Sequence, residues 1–278
     1  MRPGISSHTY AWGIGVSGYP PPAKPLDAFD LVRKATSLQV PVLQIADNFP
    51  LHLMTPSARR DLKEFASESR IDLEVGTAGI DREHLLNYLA IACELGSPIL
   101  RTLLDHNGQK PTIRDSISRL RDVIPEFEKA GVCLAIENHD RFPANDLATI
   151  IAAVASPKIG VCLDTANSLG CGEDVYWVLG ELASQVVNLH IKDFQATRLP
   201  HQKGFVIEGA PAGRGRLDVP AILTVLRGRH DSMTAVVELW VSPDDDIEQT
   251  IQREDHWATE SVAYVRRCLD EASQRTSP

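Results

Sequence analysis

Four short stretches carry an apolar run straight into ionisable groups: AIENHD at 135–140, VCLDTANS at 161–168, VVNLHIKDF at 186–194 and AVVELW at 235–240. At or beside the end of each run stands one metal-ligating type: Glu137, Asp164, His190 and Glu238 in turn. Three carboxylates gathered in a low-dielectric pocket repel strongly unless a positive charge sits among them. A single divalent cation meets that need. An oxygen-rich set with one nitrogen suits Mn²⁺ first, with Mg²⁺, Co²⁺ or Zn²⁺ as alternatives. Taken singly, each of the four is an ordinary strand-end polar group, satisfied by a local hydrogen bond or ion pair. The metal reading rests on their convergence.

A cation held there would polarise a carbonyl and steady negative charge on adjacent oxygens, as isomerisation and decarboxylation through an enediolate both require. Glu137 and Glu238 are the candidate acid/base pair. Lys192 lies two residues beyond His190 and so points to the same side of its strand. It can hold a substrate carboxylate or deliver a proton, or simply pair with a ligand carboxylate. Asp193 reads as a residue that orients its neighbours. His8, Arg101, His139, Arg141, His201, Arg214 and Arg216 fall near predicted strand ends or in the loops after them, where an arginine can grip a carboxylate in two places. Each alone is more readily a solvated loop residue. Arg101 and His139 are the foremost candidates for substrate contact, with His8 and Arg214 beside them. Trp12, Phe49 and Trp240 offer apolar walls, although aromatics in such places also serve as core. No glycine-rich cradle for a phosphate group is present.

The elements that must position these residues alternate. Eight β-branched runs, ISSHTY (5–10), VLQIAD (42–47), IDLEVG (71–76), ILRTLL (99–104), VCLAIE (132–137), IGVCLD (159–164), VVNLHI (186–191) and AVVELW (235–240), are separated by segments of helical period. Eight βα units close a barrel, and residues distant in sequence then meet at the C-terminal ends of its strands. The predicted fold is therefore α/β, a single (β/α)8 TIM barrel, with residues 1–278 as one domain. Between the third and fourth strands, Asp81 should cap a helix with Leu85, Leu86, Leu89 and Cys93 on its buried stripe and Gly96 at its end. Thr112 and Asp115 have the look of a capping box for the next helix, in which Pro125 should produce a kink. An open doubly wound sheet would show G-x-G-x-x-G after its first strand. GIGVSG at 13–18 lacks that spacing and runs into YPPPAKP, which reads as a loop over the barrel mouth.

Composition narrows the classes. With 43% hydrophobic and 23% charged residues the chain has enough apolar content for a large core and is unlike disordered or membrane proteins. A formal net charge of -9 repels phosphate backbones, so a small-molecule partner is expected rather than nucleic acid. MRPGISSHTY has no charged-then-apolar leader pattern, and no run approaches the roughly 20 apolar residues of a membrane span, so a cytoplasmic location without membrane contact is expected. Five cysteines without a C-x-x-C pair read as free thiols, with Cys133 and Cys162 in apolar runs. Cys171, between two glycines, is the one alternative candidate for a catalytic thiol.

The quartet in the setting IENHD, CLDT, NLHIKD and VVELW, followed by the G-x-G-x-x-D run GRGRLD at 213–218, resembles the xylose isomerase-like TIM-barrel family across nearly the whole chain. That resemblance implies Glu137, Asp164, His190 and Glu238 as metal ligands and the two glutamates as the acid/base pair of a sugar isomerase or epimerase in carbohydrate metabolism. Barrels of this family often form homo-oligomers. Its epimerases carry a histidine three residues after the aspartate ligand. Here Asn167 stands in that place and cannot shuttle a proton, which leaves it a substrate contact. NHDRFP, DTANSLG, HQKGFVIEGAPAGRGRLD and REDHWATES are similar to a branch of decarboxylases (lyases) acting on 3-oxo sugar acids such as 3-oxo-isoapionate. Endonuclease IV-type DNA repair, also within the family, needs more metal ligands and a basic surface.

Overall fold

The computed structural model describes residues 1–228 and 233–274. In chain order the strands are β1 (Arg2–Ser6), β2 (Val42–Ile45), β3 (Asp72–Gly76), β4 (Ile99–Thr102), β5 (Cys133–Glu137), β6 (Ile159–Asp164), β7 (Val186–Ile191), β8 (Asp193–Arg198), β9 (Phe205–Ala210) and β10 (Thr234–Val237). The first seven and β10 close a barrel in the order β1-β10-β7-β6-β5-β4-β3-β2. Each adjacent pair is parallel. β8 and β9 form a separate antiparallel hairpin that follows β7 directly.

Helices α1 (Ala11–Ile14), α2 (Ala28–Ser37), α3 (Pro56–Glu68), α4 (Arg82–Leu95), α5 (Ile113–Ala130), α6 (Ala144–Val154), α7 (Val175–Leu182), α8 (Val219–Leu226) and α9 (Ile247–Gln274) occupy the connections. Their buried stripes, among them Leu31, Leu62, Leu85, Phe127, Ile150, Leu179, Leu223 and Val265, pack into one continuous apolar cluster with the barrel strands. No helix among the described residues is long and apolar enough to cross a membrane.

Most local signals act as their chemistry dictates. The Thr112 hydroxyl accepts from Asp115 N–H while the Asp115 carboxylate accepts from Thr112 N–H, a complete capping box for α5. α4 ends at Gly96, whose φ of 77° is the left-handed conformation open to glycine. Asp81 precedes α4 but makes no side-chain cap; its carboxylate receives Arg119 at 2.9 Å. The buried face of α4 is Leu85, Tyr88, Leu89, Ile91, Ala92 and Leu95. Cys93 lies outside it and is exposed, and Leu86 is half-buried, so the expected stripe was rotated by part of a turn. α5 continues through Pro125.

Several boundaries differ from the sequence reading: β2 ends at Ile45 and β4 at Thr102, short of the expected ends at 47 and 104, and β1 and β10 shift further. β1 starts at Arg2, and residues 7–10, expected as strand, form a 3-10 turn whose N-cap is Ser6. The Ser6 hydroxyl accepts from His8 N–H and so competes with the sheet ladder for the backbone. β10 stops at Val237, leaving Glu238 just beyond it, although Glu238 N–H still donates to the Ile191 carbonyl at 3.0 Å. Below the mouth the barrel interior is not purely aliphatic. Gln44, Glu74, Asn188 and Thr234, from four strands, are all buried and bond to one another across the lumen.

Candidate metal centre

Parallel register explains how the four strand-end residues meet. Asp164 and His190 are register partners on β6 and β7, Glu137 on β5 pairs with Cys162, and His190 also sits level with Val236 of β10. Glu137, Asp164, His190 and Glu238 are all buried, none more than 3% exposed. His190 Nδ1 lies 3.3 Å from both Glu137 Oε2 and Glu238 Oε1, so the two glutamates flank the imidazole. Ligand atoms of Asp164, His190 and Glu238 lie within 4.8 Å of one another. A second such triad joins Glu137 and His190 to Cys162.

One of these atoms, His190 Nδ1, is buried without a hydrogen-bond partner, while Asp164 Oδ2 meets the Lys192 ammonium at 2.9 Å. Such an orphan is costly unless something absent from the polypeptide satisfies it. Charge points the same way. Among the described residues, Glu137, Asp164, Glu238 and Asp47 face Arg101 and Lys192 as their permanent cations, a deficit of two charges that one divalent ion closes. Burial works against a charge on His190, yet the pull of Cys162, Glu238 and Glu137 raises its pKa well above the ordinary value, a sign that this point of the site favours a cation. The residues therefore fit a divalent metal.

Glu137 is held at both oxygens. Arg101 Nε donates to Oε2 over a very short contact and Asn167 Nδ2 donates to Oε1 at 2.7 Å. Burial raises the carboxyl's pKa, but Arg101 outweighs it and brings the value down to about 2. Glu238 accepts from Ser6 Oγ at 2.8 Å, and its carboxyl also lies well below the usual range, because His190 and Lys192 overcome its desolvation. Lys192 Nζ lies 2.9 Å from Asp164 Oδ2 and 3.1 Å from Glu238 Oε2. These carboxylates outweigh the desolvation and keep it charged. Its Nζ also lies 5.3 Å from the Trp240 ring centroid.

A cavity of about 400 Å³ opens on this cluster, lined by His8, Asp47, Arg101, His139, Asn167, Lys192 and Trp240 among others. A neighbouring cavity of about 450 Å³ shares Glu137 and His139 and adds His106, Lys110 and Arg141. His8, Arg101, His139 and Asn167 are thus brought together as expected. Arg214 is not: its side chain is 68% exposed and pairs with Glu260 at 2.9 Å. Arg216 bonds the Ala196 carbonyl, His201 is exposed in the turn of the hairpin, and Arg141 is engaged by Asp105. Trp12 is core, its indole N–H bonded to the Val241 carbonyl, and Phe49 packs against the core; only Trp240 of the three aromatics lines the cavity. Burial, with Glu173 and Asp140, pushes the Cys171 thiol's pKa up, against the thiolate a nucleophile needs. All five cysteines are free, and Cys133 is only half-buried.

Sequence reasoning missed Asp47, which receives Arg101 Nη1 at 2.5 Å and faces His8 at 3.4 Å. It stands just past β2, and the strand-end rule that found the quartet also applies to it. Asp193 does orient its neighbours. Its carboxylate accepts from the backbone N–H groups of Phe194, Gly213, Gly215, Arg216 and Leu217, which fastens the GRGRLD loop to the foot of the hairpin.

Comparison with known proteins places this geometry. A family model described as xylose isomerase-like TIM barrel matches residues 45–268. The chain is 31% identical over 265 residues to a 3-oxo-isoapionate decarboxylase of Pectobacterium atrosepticum, covering 95% of each chain. Among solved structures, D-psicose 3-epimerase of Clostridium cellulolyticum H10 superposes with a TM-score of 0.73 at 17% identity, covering 97% of this chain and 99% of the other. The IOLI protein with a bound zinc atom does so at 0.67 and 17%, covering 95% and 99%. The family match and the extent of the decarboxylase similarity settle descent: the chain belongs to the xylose isomerase-like TIM-barrel family.

Proposed function

We propose that the protein is a divalent-metal-dependent carboxy-lyase of carbohydrate catabolism that acts on a small 3-oxo sugar acid. The observation that carries this reading is the clamped state of Glu137. A carboxylate bonded at both oxygens by Arg101 and Asn167, with its pKa down at about 2, is a poor base for drawing a proton from carbon. Epimerisation needs such a base, whereas decarboxylation of a 3-oxo acid does not. Similarity to the 3-oxo-isoapionate decarboxylase supports the same choice.

Asp164, His190 and Glu238, with Glu137 beside them, would hold the metal, Mn²⁺ foremost. When bound, the ion would polarise the 3-oxo group and stabilise charge developing on it. In the reaction the bond between C2 and the carboxyl carbon breaks, CO₂ leaves, and the electron pair passes into the 3-oxo group to give an enolate. A proton must then return to C2. Lys192, which lines the cavity and is kept charged, would hold the substrate carboxylate and return that proton. Arg101 and Asn167 keep Glu137 fixed, and Trp240 walls the cavity and limits water.

Isomerisation remains the second reading, favoured by the two glutamates flanking His190. The two separate in ²H₂O with a 3-oxo sugar acid and Mn²⁺. The carboxy-lyase releases CO₂ and leaves one deuterium on the carbon that lost it. Deuterium uptake into a product of unchanged carbon number would establish isomerisation instead.

A further inference from the structure

The polar layer beneath the quartet has an order that its hydrogen bonds dictate. Glu74 on β3 is 3% exposed, and among the described residues it makes no ion pair. Its Oε1 accepts from Thr234 Oγ1 at 2.6 Å, and its Oε2 accepts from Gln44 Nε2 at 3.0 Å and Asn188 Nδ2 at 3.2 Å. Both oxygens accept, so the carboxylate draws the amide nitrogens of both neighbours towards itself. The Asn188 oxygen is left facing Gln44 Nε2 at 3.2 Å and Cys162 Sγ at 3.3 Å. Gln44 Nε2 is thereby committed to two acceptors, and its Oε1 must point the other way.

What it points at is His190. Gln44 Oε1 lies 2.8 Å from His190 Nε2, and an amide oxygen there requires a proton on that nitrogen. Nδ1, which faces the glutamates and has no hydrogen-bond partner, then presents its lone pair to the site. Turning the Gln44 amide over would set three acceptor oxygens together in a dry interior and offer N–H to Nε2, which moves the imidazole proton to Nδ1 and blocks coordination. Barrel interiors at this level are usually filled by aliphatic side chains, so a fully connected polar layer calls for a reason.

We propose that Glu74 and Gln44 are positioning residues that, through the buried series Glu74–Gln44–His190, fix the imidazole with its proton on Nε2 and Nδ1 as the metal ligand. This rests on the metal reading above and adds to it the residues that tune the ligand. Partners that orient a ligating histidine typically change metal affinity about 10- to 100-fold when removed.

The test is Mn²⁺ affinity, read as free Mn²⁺ by electron paramagnetic resonance, for wild type, Gln44→Leu, Glu74→Gln and the double variant, each with a thermal melt. Gln44→Leu should weaken binding about 10- to 100-fold. Glu74→Gln, the same size and able to present its amide either way, should weaken it less, and the double variant should be no worse than Gln44→Leu alone. In wild type loaded with Zn²⁺, ¹⁵N-histidine spectra should show the His190 proton on Nε2 and the metal at Nδ1. Metal at Nε2 would overturn the relay, as would two single variants that bind Mn²⁺ within twofold of wild type while melting lower. Should Gln44→Leu not fold, Glu74→Gln and the ¹⁵N spectra decide. A wild type that binds no Mn²⁺ would remove the metal reading and the relay together.

Discussion

Lys192 is where the proposed chemistry is most exposed to test by a single substitution. It touches Asp164 and Glu238 and faces the cavity, and Lys192→Met keeps most of the apolar stem while removing the charge. Loss of a positioned proton donor typically costs about 10²- to 10⁴-fold in rate. The variant should therefore lose CO₂ release by at least about 10²-fold and, with two buried carboxylates deprived of their cation, melt lower while still folding; a wild-type turnover number would place the proton donor elsewhere. Glu137 makes a second prediction, in the chelated protein. Its carboxyl falls from an ordinary 4.5 to about 2, chiefly because Arg101 overcomes the cost of burial. A depressed carboxylate contributes stability that is complete above the ordinary value and is lost as pH falls through the folded one. Stability measured by denaturant should hence decline between about pH 4.5 and about pH 2, and Glu137→Gln should start lower and decline less over that window. Parallel acid limbs would show that the Arg101 pair contributes little.

The hairpin of β8 and β9 governs the site as an element. β9 crosses so close to the segment after β10 that a Cβ on Gly209 would stand 1.8 Å from the Trp240 carbonyl oxygen and 2.6 Å from its Cβ. Only glycine permits that approach, and the residue it rests on is the aromatic wall of the cavity. Gly209→Ala should push the two segments apart, cost about 1–3 kcal/mol in stability as overpacking does, and raise KM through the displaced Trp240. An unchanged KM with lowered stability would separate the hairpin from the cavity. This element was absent from the sequence reading for a physical reason. Gln195, Thr197 and Arg198 on β8 are exposed, as are Phe205, Val206, Ile207 and Glu208 on β9, so neither strand has the buried alternation that marks one. The barrel strands, buried along nearly their whole length, were legible as short apolar runs, but several of their ends were not: β1 ends at Ser6, where a side chain captures the backbone, and β2, β4 and β10 end at Ile45, Thr102 and Val237, before their apolar runs do.

At the scale of the molecule the site is a place where folding has gathered like charge. A ligand that binds only the folded state stabilises it by about 2.7 kcal/mol at a hundred times its Kd, which for a chain of this size raises the melting temperature by roughly 5 °C or more. Mn²⁺ should do so here, and a chelator should reverse it. A melt indifferent to both would argue that Lys192 and Arg101 alone neutralise the carboxylates. The gain should disappear in Asp164→Ala, whose carboxylate belongs to the triad of potential ligand atoms within 4.8 Å of one another.

The sequence by itself determined the alternation of strand and helix, the barrel it closes, and the carboxylate and imidazole groups at four strand ends, because burial periodicity and residue chemistry are local properties. It did not determine which arginine reaches the site. Arg101 and Arg214 both follow apolar segments, yet one lies under the mouth against Glu137 and the other on the surface against Glu260. Nor could it show that Gln44, an isolated polar residue in a buried run, faces His190 across 146 positions of chain. Those facts depend on strand register and on which side of the barrel wall a side chain faces, and both are fixed only when the sheet closes.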